Sequence, residues 1–334
     1  MKLKTILLRI LGVIAGLVVV GYAAFQWSPW PSVLMIRYAF GKGSDAASQS
    51  LLKHVPPGIA AVLDQHYDEA DPDAYLDVFR PASAGAQPLP TIVWVHGGAW
   101  VSGHRRDVAN YARVLAGQGF TVVAVGYSIA PGQGYPVPVR QVNTALGYLV
   151  REAARLGVDP ARLVLAGDSA GAHIVAQVAN AVAVPGYAKA VGLTPVIARE
   201  QLRGMLLHCG AYDAAQARLD GAFGGFLRTV FWSYSGSKDF QNAPAFETAS
   251  VRRYVSEAFP PSFITAGNGD PLEGQSRSMA ETLAAKGVQV DSLFFPADQT
   301  PALPHEYQFN LDDAPGRVGG ERRLQFLRAV TAPG

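Results

Sequence analysis

From residue 74 onward, short runs of β-branched and apolar residues alternate with longer stretches of helical period. The runs at 74–79, 91–95, 121–125, 163–166, 204–208, 262–266 and 289–295 predict strands. The stretches at 107–118, 139–156, 170–184, 275–286 and 321–330 predict helices. Strands separated by helices of this length need crossover connections, which gives an α/β fold with a mostly parallel sheet covered on both faces. The runs at 91–95, 121–125 and 163–166 are nearly unbroken in apolar character, as strands buried on both sides must be. One interval breaks the rhythm. Residues 211–249 are rich in glycine and aromatics, with Phe223, Phe226, Phe231, Trp232, Tyr234, Phe240 and Phe246. An insertion of that length reads as a lid over a site or as an extra helical layer.

The amino terminus obeys different rules. Residues 10–25 hold no charge, and with Ile6 to Leu8 the apolar stretch is interrupted only by Arg9. At about 1.5 Å per residue such a helix crosses one hydrocarbon core. Lys2, Lys4 and Arg9 precede or open it, the first acid after it is Asp45, and Trp27 and Trp30 follow at once. The positive-inside rule then places the terminus in the cytoplasm and the body outside, as a single-pass protein of the cell membrane. The alternatives are a cleaved signal peptide, with Gly21 and Ala23 as the small residues before the cut, giving a secreted or periplasmic body, and a buried soluble helix. The expected organisation is 1–27 as signal-anchor or signal peptide, 28–73 as connector and cap segment with a short helix at 46–54, and 74–332 as the catalytic domain. Without the three N-terminal cations, the 28 basic residues fall to 25 against 26 acidic ones. So balanced a body offers no basic stripe for nucleic acid. The lone Cys209 excludes an internal disulfide framework and a cysteine-built zinc cluster.

The chemistry begins with Gly167-Asp168-Ser169-Ala170-Gly171, which follows a predicted strand and opens a predicted helix. This is the setting of a nucleophile elbow. Gly126-Tyr127-Ser128-Ile129-Ala130 has the same outline but runs into Pro131 and Gly132, so it reads as a loop. His96-Gly97-Gly98-Ala99-Trp100 follows the strand at 91–95, and its glycines leave backbone amides free to face a developing oxyanion. A serine nucleophile needs a base and an acid, in the chain order Ser, Asp or Glu, His. Beyond the insertion only His305 remains. His173, one turn beyond Ser169 on the same helix, reads as structural, as does His208 at a buried strand end. His96 shapes its loop, and His54, His66 and His104 read as surface or loop residues. Asp270 follows the strand at 262–266 and is the expected acid. Glu273, Asp291 and Asp298 compete with it, Glu273 most seriously because it shares the loop.

In combination these motifs resemble the bacterial hormone-sensitive-lipase-like branch of the α/β-hydrolase esterases, over about residues 74–330. The resemblance rests on His96-Gly97-Gly98, the Ser169 motif, Asp270-Pro271-Leu272 and His305. Tyr127-Ser128-Ile129-Ala130-Pro131 is similar to a further family segment. It implies Ser169 as nucleophile, His305 as base and Asp270 as its orienter. Oxyanion donors map to the Gly98, Ala99 and Ala170 amides, with Gly97 supporting the turn. The implied reaction is hydrolysis of small or short-acyl carboxylic esters through an acyl-enzyme, without metal or cofactor. The sequence departs from the family pattern at Ala99, at Ala172, and at His305-Glu306-Tyr307. The rivals are a peptidase or amidase of the same fold and a membrane-tethered interaction protein that retained it.

Overall fold

Along the run Leu89–Val95, alternate residues enter different cores. Ile92 and Trp94 join one apolar cluster, and Val93 and Val95 join another. That is the period of two that a central strand must show when helices cover both faces. The computed structural model describes residues 2–217, 219–221 and 223–333. Its strands are β1 (Ile59–His66), β2 (Tyr75–Pro81), β3 (Leu89–Val95), β4 (Thr121–Val125), β5 (Val158–Asp168), β6 (Leu202–His208), β7 (Ser262–Ala266) and β8 (Val290–Phe294). Its α-helices are α1 (Lys2–Trp27), α2 (Trp30–Leu51), α3 (Ala109–Ala116), α4 (Val137–Arg151), α5 (Ala153–Leu156), α6 (Ala170–Ala183), α7 (Pro185–Val191), α8 (Gly224–Ser235), α9 (Pro244–Glu247), α10 (Glu273–Ala285) and α11 (Ala314–Val330).

The strands form one sheet in the order β1-β2-β4-β3-β5-β6-β7-β8. Strand β2 runs antiparallel to both its neighbours, and the pairings from β4 through β8 are parallel. Helices α3 and α11 cover one face, with Tyr111, Leu115, Phe326 and Leu327 packed on Ile92, Trp94 and Phe263. Helices α4, α6 and α10 cover the other, with Val142, Leu146, Ile174, Val178 and Met279 packed on Val93, Leu165 and Leu207. The carboxyl ends of β3, β5, β7 and β8 therefore open on one edge, where parallel sheets place their sites.

Several expectations need correction. The 28–57 connector is mostly helix: α2 spans 22 residues, begins at a proline-led first turn and runs through Gly41 and Gly43. Strand β1 was not anticipated. It is an edge strand with a mostly unburied pattern, so it carries no apolar alternation. The helix predicted at 139–156 is broken at Glu152, whose φ of −96° and ψ of 11° leave the helical region. Helix α11 starts at Ala314 rather than 321 and contains Gly316, where a Cβ would meet Asn310 O at 1.9 Å. The 211–249 insertion contains α8 and α9, joined by loops and short turns.

Candidate active site

Ser169 joins β5 directly to α6 with φ 51° and ψ −118°, a strained conformation for a residue with a side chain. The turn is held by Ser169 N–H donating to His208 O at 2.9 Å. It also needs Gly171, because a Cβ there would come within 2.0 Å of Val95 O. The strain lifts Ser169 above the sheet edge, where it lines a large cavity together with His305.

His305 lies in the loop after β8. Its Nδ1 is 2.9 Å from Asp270 Oδ2, and the other oxygen, Asp270 Oδ1, accepts from Leu272 N–H at 2.7 Å. Asp270 is buried at the end of β7, so this carboxylate is fixed in place. The competing acids are engaged elsewhere. Glu273 pairs with Arg277 at 2.7 Å, Asp291 bonds Arg322, and Asp298 is exposed.

Burial and three neighbouring groups act on the proton affinity of His305. Burial works against the imidazolium, while the Cys209 sulfur, the Asp270 carboxylate and the Glu306 carboxylate work for it, and the net result lies well above the ordinary 6.5. Burial pushes the Cys209 thiol up to about 11, so it is neutral near pH 7 and Asp270 is the lasting charge. Cys209 Sγ, an Asp270 oxygen and a His305 nitrogen lie within 4.8 Å of one another. The Asp270–His305 hydrogen bond already occupies that pair.

The loop after β3 forms the facing wall. Gly97 N–H donates to Asp168 Oδ2 at 2.8 Å and is thereby spent on the turn. The next three residues all have positive φ: Gly98 at 111°, Ala99 at 54° and Trp100 at 60°. Gly98 is obligatory, since a Cβ there would sit 2.2 Å from Ser102 O. Ala99 occupies a left-handed position without being glycine, at a cost of about 1–2 kcal/mol. Among the described residues no backbone group accepts from the Gly98 and Ala99 amides. Ala170 N–H, at the first position of α6, is one of the amides a helix leaves free. His96 braces this loop: Nδ1 bonds Gly97 O at 2.8 Å, the ring stacks on Tyr127, and burial lowers it to about 4. Tyr127 Oη–H donates to His96 O at 2.9 Å, and the 126–130 segment is a loop.

The other histidines stand apart from the chemistry. His173 accepts from Trp100 Nε1–H at Nδ1 and donates from Nε2 to Ala249 O at 2.7 Å, which ties the loop after β3 to the insertion. His208 is buried against Trp94, and its ring nitrogens have no hydrogen-bond partner among the described residues. His54 pairs with Asp312 at the surface, His66 with Glu69 on the edge strand, and His104 lies in a loop.

One group escaped sequence reasoning. Glu306, with φ 60°, places Oε1 3.6 Å from His305 Nε2. It also hydrogen-bonds Asp168, whose carboxyl is pushed well above the usual range by burial and then by the Glu306 charge. Asp168 accepts from Trp94 Nε1–H at 2.7 Å through Oδ1. The available signal was positional: an acid directly precedes the serine and another directly follows the histidine.

The sheet order, the strained serine turn and the histidine–carboxylate pair define the class. This chain belongs to the α/β-hydrolase family, whose fold model matches residues 92–303. Among its curated relatives is the carboxylesterase NlhH of Mycobacterium tuberculosis, 30% identical over 227 residues, covering 66% of each chain. The esterase LipQ of the same organism is 27% identical over 270 residues, covering 76% of this chain and 62% of that one. The matches thus span just under two thirds of those relatives' own length. Among solved structures, esterase B of Lactobacillus rhamnosis superposes with a TM-score of 0.76 at 23% identity, over 90% of this chain and 96% of that one.

Proposed function

We propose that the chain is a serine carboxylic-ester hydrolase. The observation that carries the reading is the convergence on one cavity of Ser169 at a strained turn, His305 held by Asp270, and Gly98 and Ala99, whose amides have no backbone acceptor among the described residues, with the Ala170 amide next to Ser169 at the start of α6. His305 accepts the Ser169 proton as Oγ attacks the ester carbonyl. The amides hold the oxyanion, each worth about 3 kcal/mol of barrier. The protonated histidine then passes its proton to the departing alcohol. Water attacks the acyl-enzyme with His305 again as base. His305 Nε2 makes no hydrogen bond to Ser169 Oγ here, and in this mechanism that contact closes when substrate binds. The esterase names of the relatives support the reading. We also assign α1 as a signal-anchor that holds the catalytic body at the outer face of the membrane. It is 25 residues of apolar, exposed helix from Leu3 to Trp27. A screen of p-nitrophenyl esters by acyl length, beside aryl and peptide amides, tests the reaction class. Ester turnover is expected from short acyl chains upward. Turnover of amides alone contradicts it.

A further inference from the structure

Helix α2 has two apolar faces, and only one is used by the body. On the inner face Val33 is fully buried, and Phe40 packs on Phe226 of α8 with ring centroids 5.9 Å apart. Arg37 pins that face by donating from Nε to Val101 O at 2.7 Å and from Nη2 to Ala130 O at 3.0 Å. The C-terminal half of the helix then lines the cavity through Phe40, Gly43, Ala47 and Leu51. The outer face presents Leu34, Met35 and Tyr38, which are 58%, 66% and 68% exposed, with Trp30, 42% exposed, at its edge beneath the Arg37 guanidinium. Trp30, Leu34 and Tyr38 are spaced four apart, so they form one stripe along the helix. Four large apolar side chains on an open face call for a partner.

The chain itself indicates which partner. Only Ser28 and Pro29 separate α2 from α1, the helix long and apolar enough to cross a membrane. Lys238 on the body bonds Gln26 O, which fixes the end of α1 against the domain. With α1 in a bilayer, Trp27 stands at the interface, and α2 starts at that depth with its apolar stripe outward. An amphipathic helix in this setting lies in the interface plane with its apolar face among the acyl chains. One helix diameter, about 10–12 Å, then separates the lipid from the cavity. The cavity is about 1280 Å³, larger than the roughly 300–1,000 Å³ of a drug-sized ligand site. Its rim carries Phe223, 56% exposed. A short-acyl ester fills only part of that volume.

We propose that α2 docks on the bilayer through its Trp30–Leu34–Tyr38 stripe and that the cavity behind it draws esters partitioned into the membrane, those with long acyl chains. This rests on the ester-hydrolase reading of the site. The test uses the full chain in phosphatidylcholine vesicles, with p-nitrophenyl palmitate in the bilayer and p-nitrophenyl butyrate in the water. Raising the palmitate mole fraction at constant bulk concentration should raise its hydrolysis. Replacing Leu34→Asp together with Met35→Asp should lower palmitate kcat/KM about tenfold, by lifting the stripe off the lipid, and leave butyrate within about twofold. Equal palmitate rates in wild type and variant overturn the proposal. A nitroxide on Met35→Cys reads the docking without catalysis. Collisions with oxygen exceeding those with a water-soluble nickel chelate support it, and the reverse overturns it. Absence of butyrate hydrolysis by the wild type would instead contradict the ester-hydrolase reading, while the nitroxide still decides the docking.

Discussion

At the scale of single residues, the neighbours of His305 set its pH behaviour: Cys209, Asp270 and Glu306. Asp270 and Glu306 hold His305 above its ordinary value, and the imidazolium does not accept the Ser169 proton. The ascending limb of kcat/KM should accordingly lie above pH 6.5. The Glu306 charge, 3.6 Å from Nε2, is one of the groups that favour the imidazolium. Glu306→Gln removes that charge and keeps the side-chain shape. The His305 pKa then falls, and the limb should move to lower pH. A pH–rate profile checks this, and a limb that stays or moves upward contradicts it. At the other nitrogen, Asp270→Asn should cost about 10⁴-fold in kcat, because an amide does not hold the required tautomer. Glu273→Gln should leave kcat near wild type, since Glu273 serves Arg277. Steady-state kinetics on the two variants decide between the acids.

Among the elements, α2 is the least legible in the sequence and among the most consequential. Arg37 joins it to Val101 in the loop after β3 and to Ala130. Arg37→Ala should destabilise the fold by about 1–3 kcal/mol, seen in denaturant titration, because the carbonyls lose charged donors. It should raise KM more than it lowers kcat, since α2 lines the cavity and Ser169 does not touch it. The interior strands were readable because doubly buried strands are continuous apolar runs, as at Thr121–Val125 and Ser262–Ala266. Strand β1 was not, because an edge strand has no core to face. Helices α2 and α11 were obscured by glycines, and in α11 Gly316 is demanded by close packing on Asn310. Ser169, Asp270 and His305 were legible from motif order and strand context. Glu306 was not, because its partner Asp168 is adjacent only in space, across the joint of two loops.

At the scale of the whole molecule, an apolar N-terminal helix long enough to cross a membrane precedes the α/β body. The sheet and its two cores involve residues from Val33 onward, and α1 contributes none of the buried core. Removal of residues 2–27 should therefore release a soluble protein that still hydrolyses p-nitrophenyl butyrate, whereas the full chain should sediment with membranes and resist alkaline carbonate. Sedimentation followed by assay of both fractions measures this. A soluble full-length product beginning near Ala24 would instead identify a cleaved signal peptide. The central claim is that Ser169 is a nucleophile activated by His305. The most direct measurement is reaction with a fluorophosphonate followed by peptide mass spectrometry. One adduct, on Ser169, is expected in the wild type, with its loss in both Ser169→Ala and His305→Ala. Continued ester hydrolysis without an adduct on Ser169, or an adduct on another residue, would contradict it.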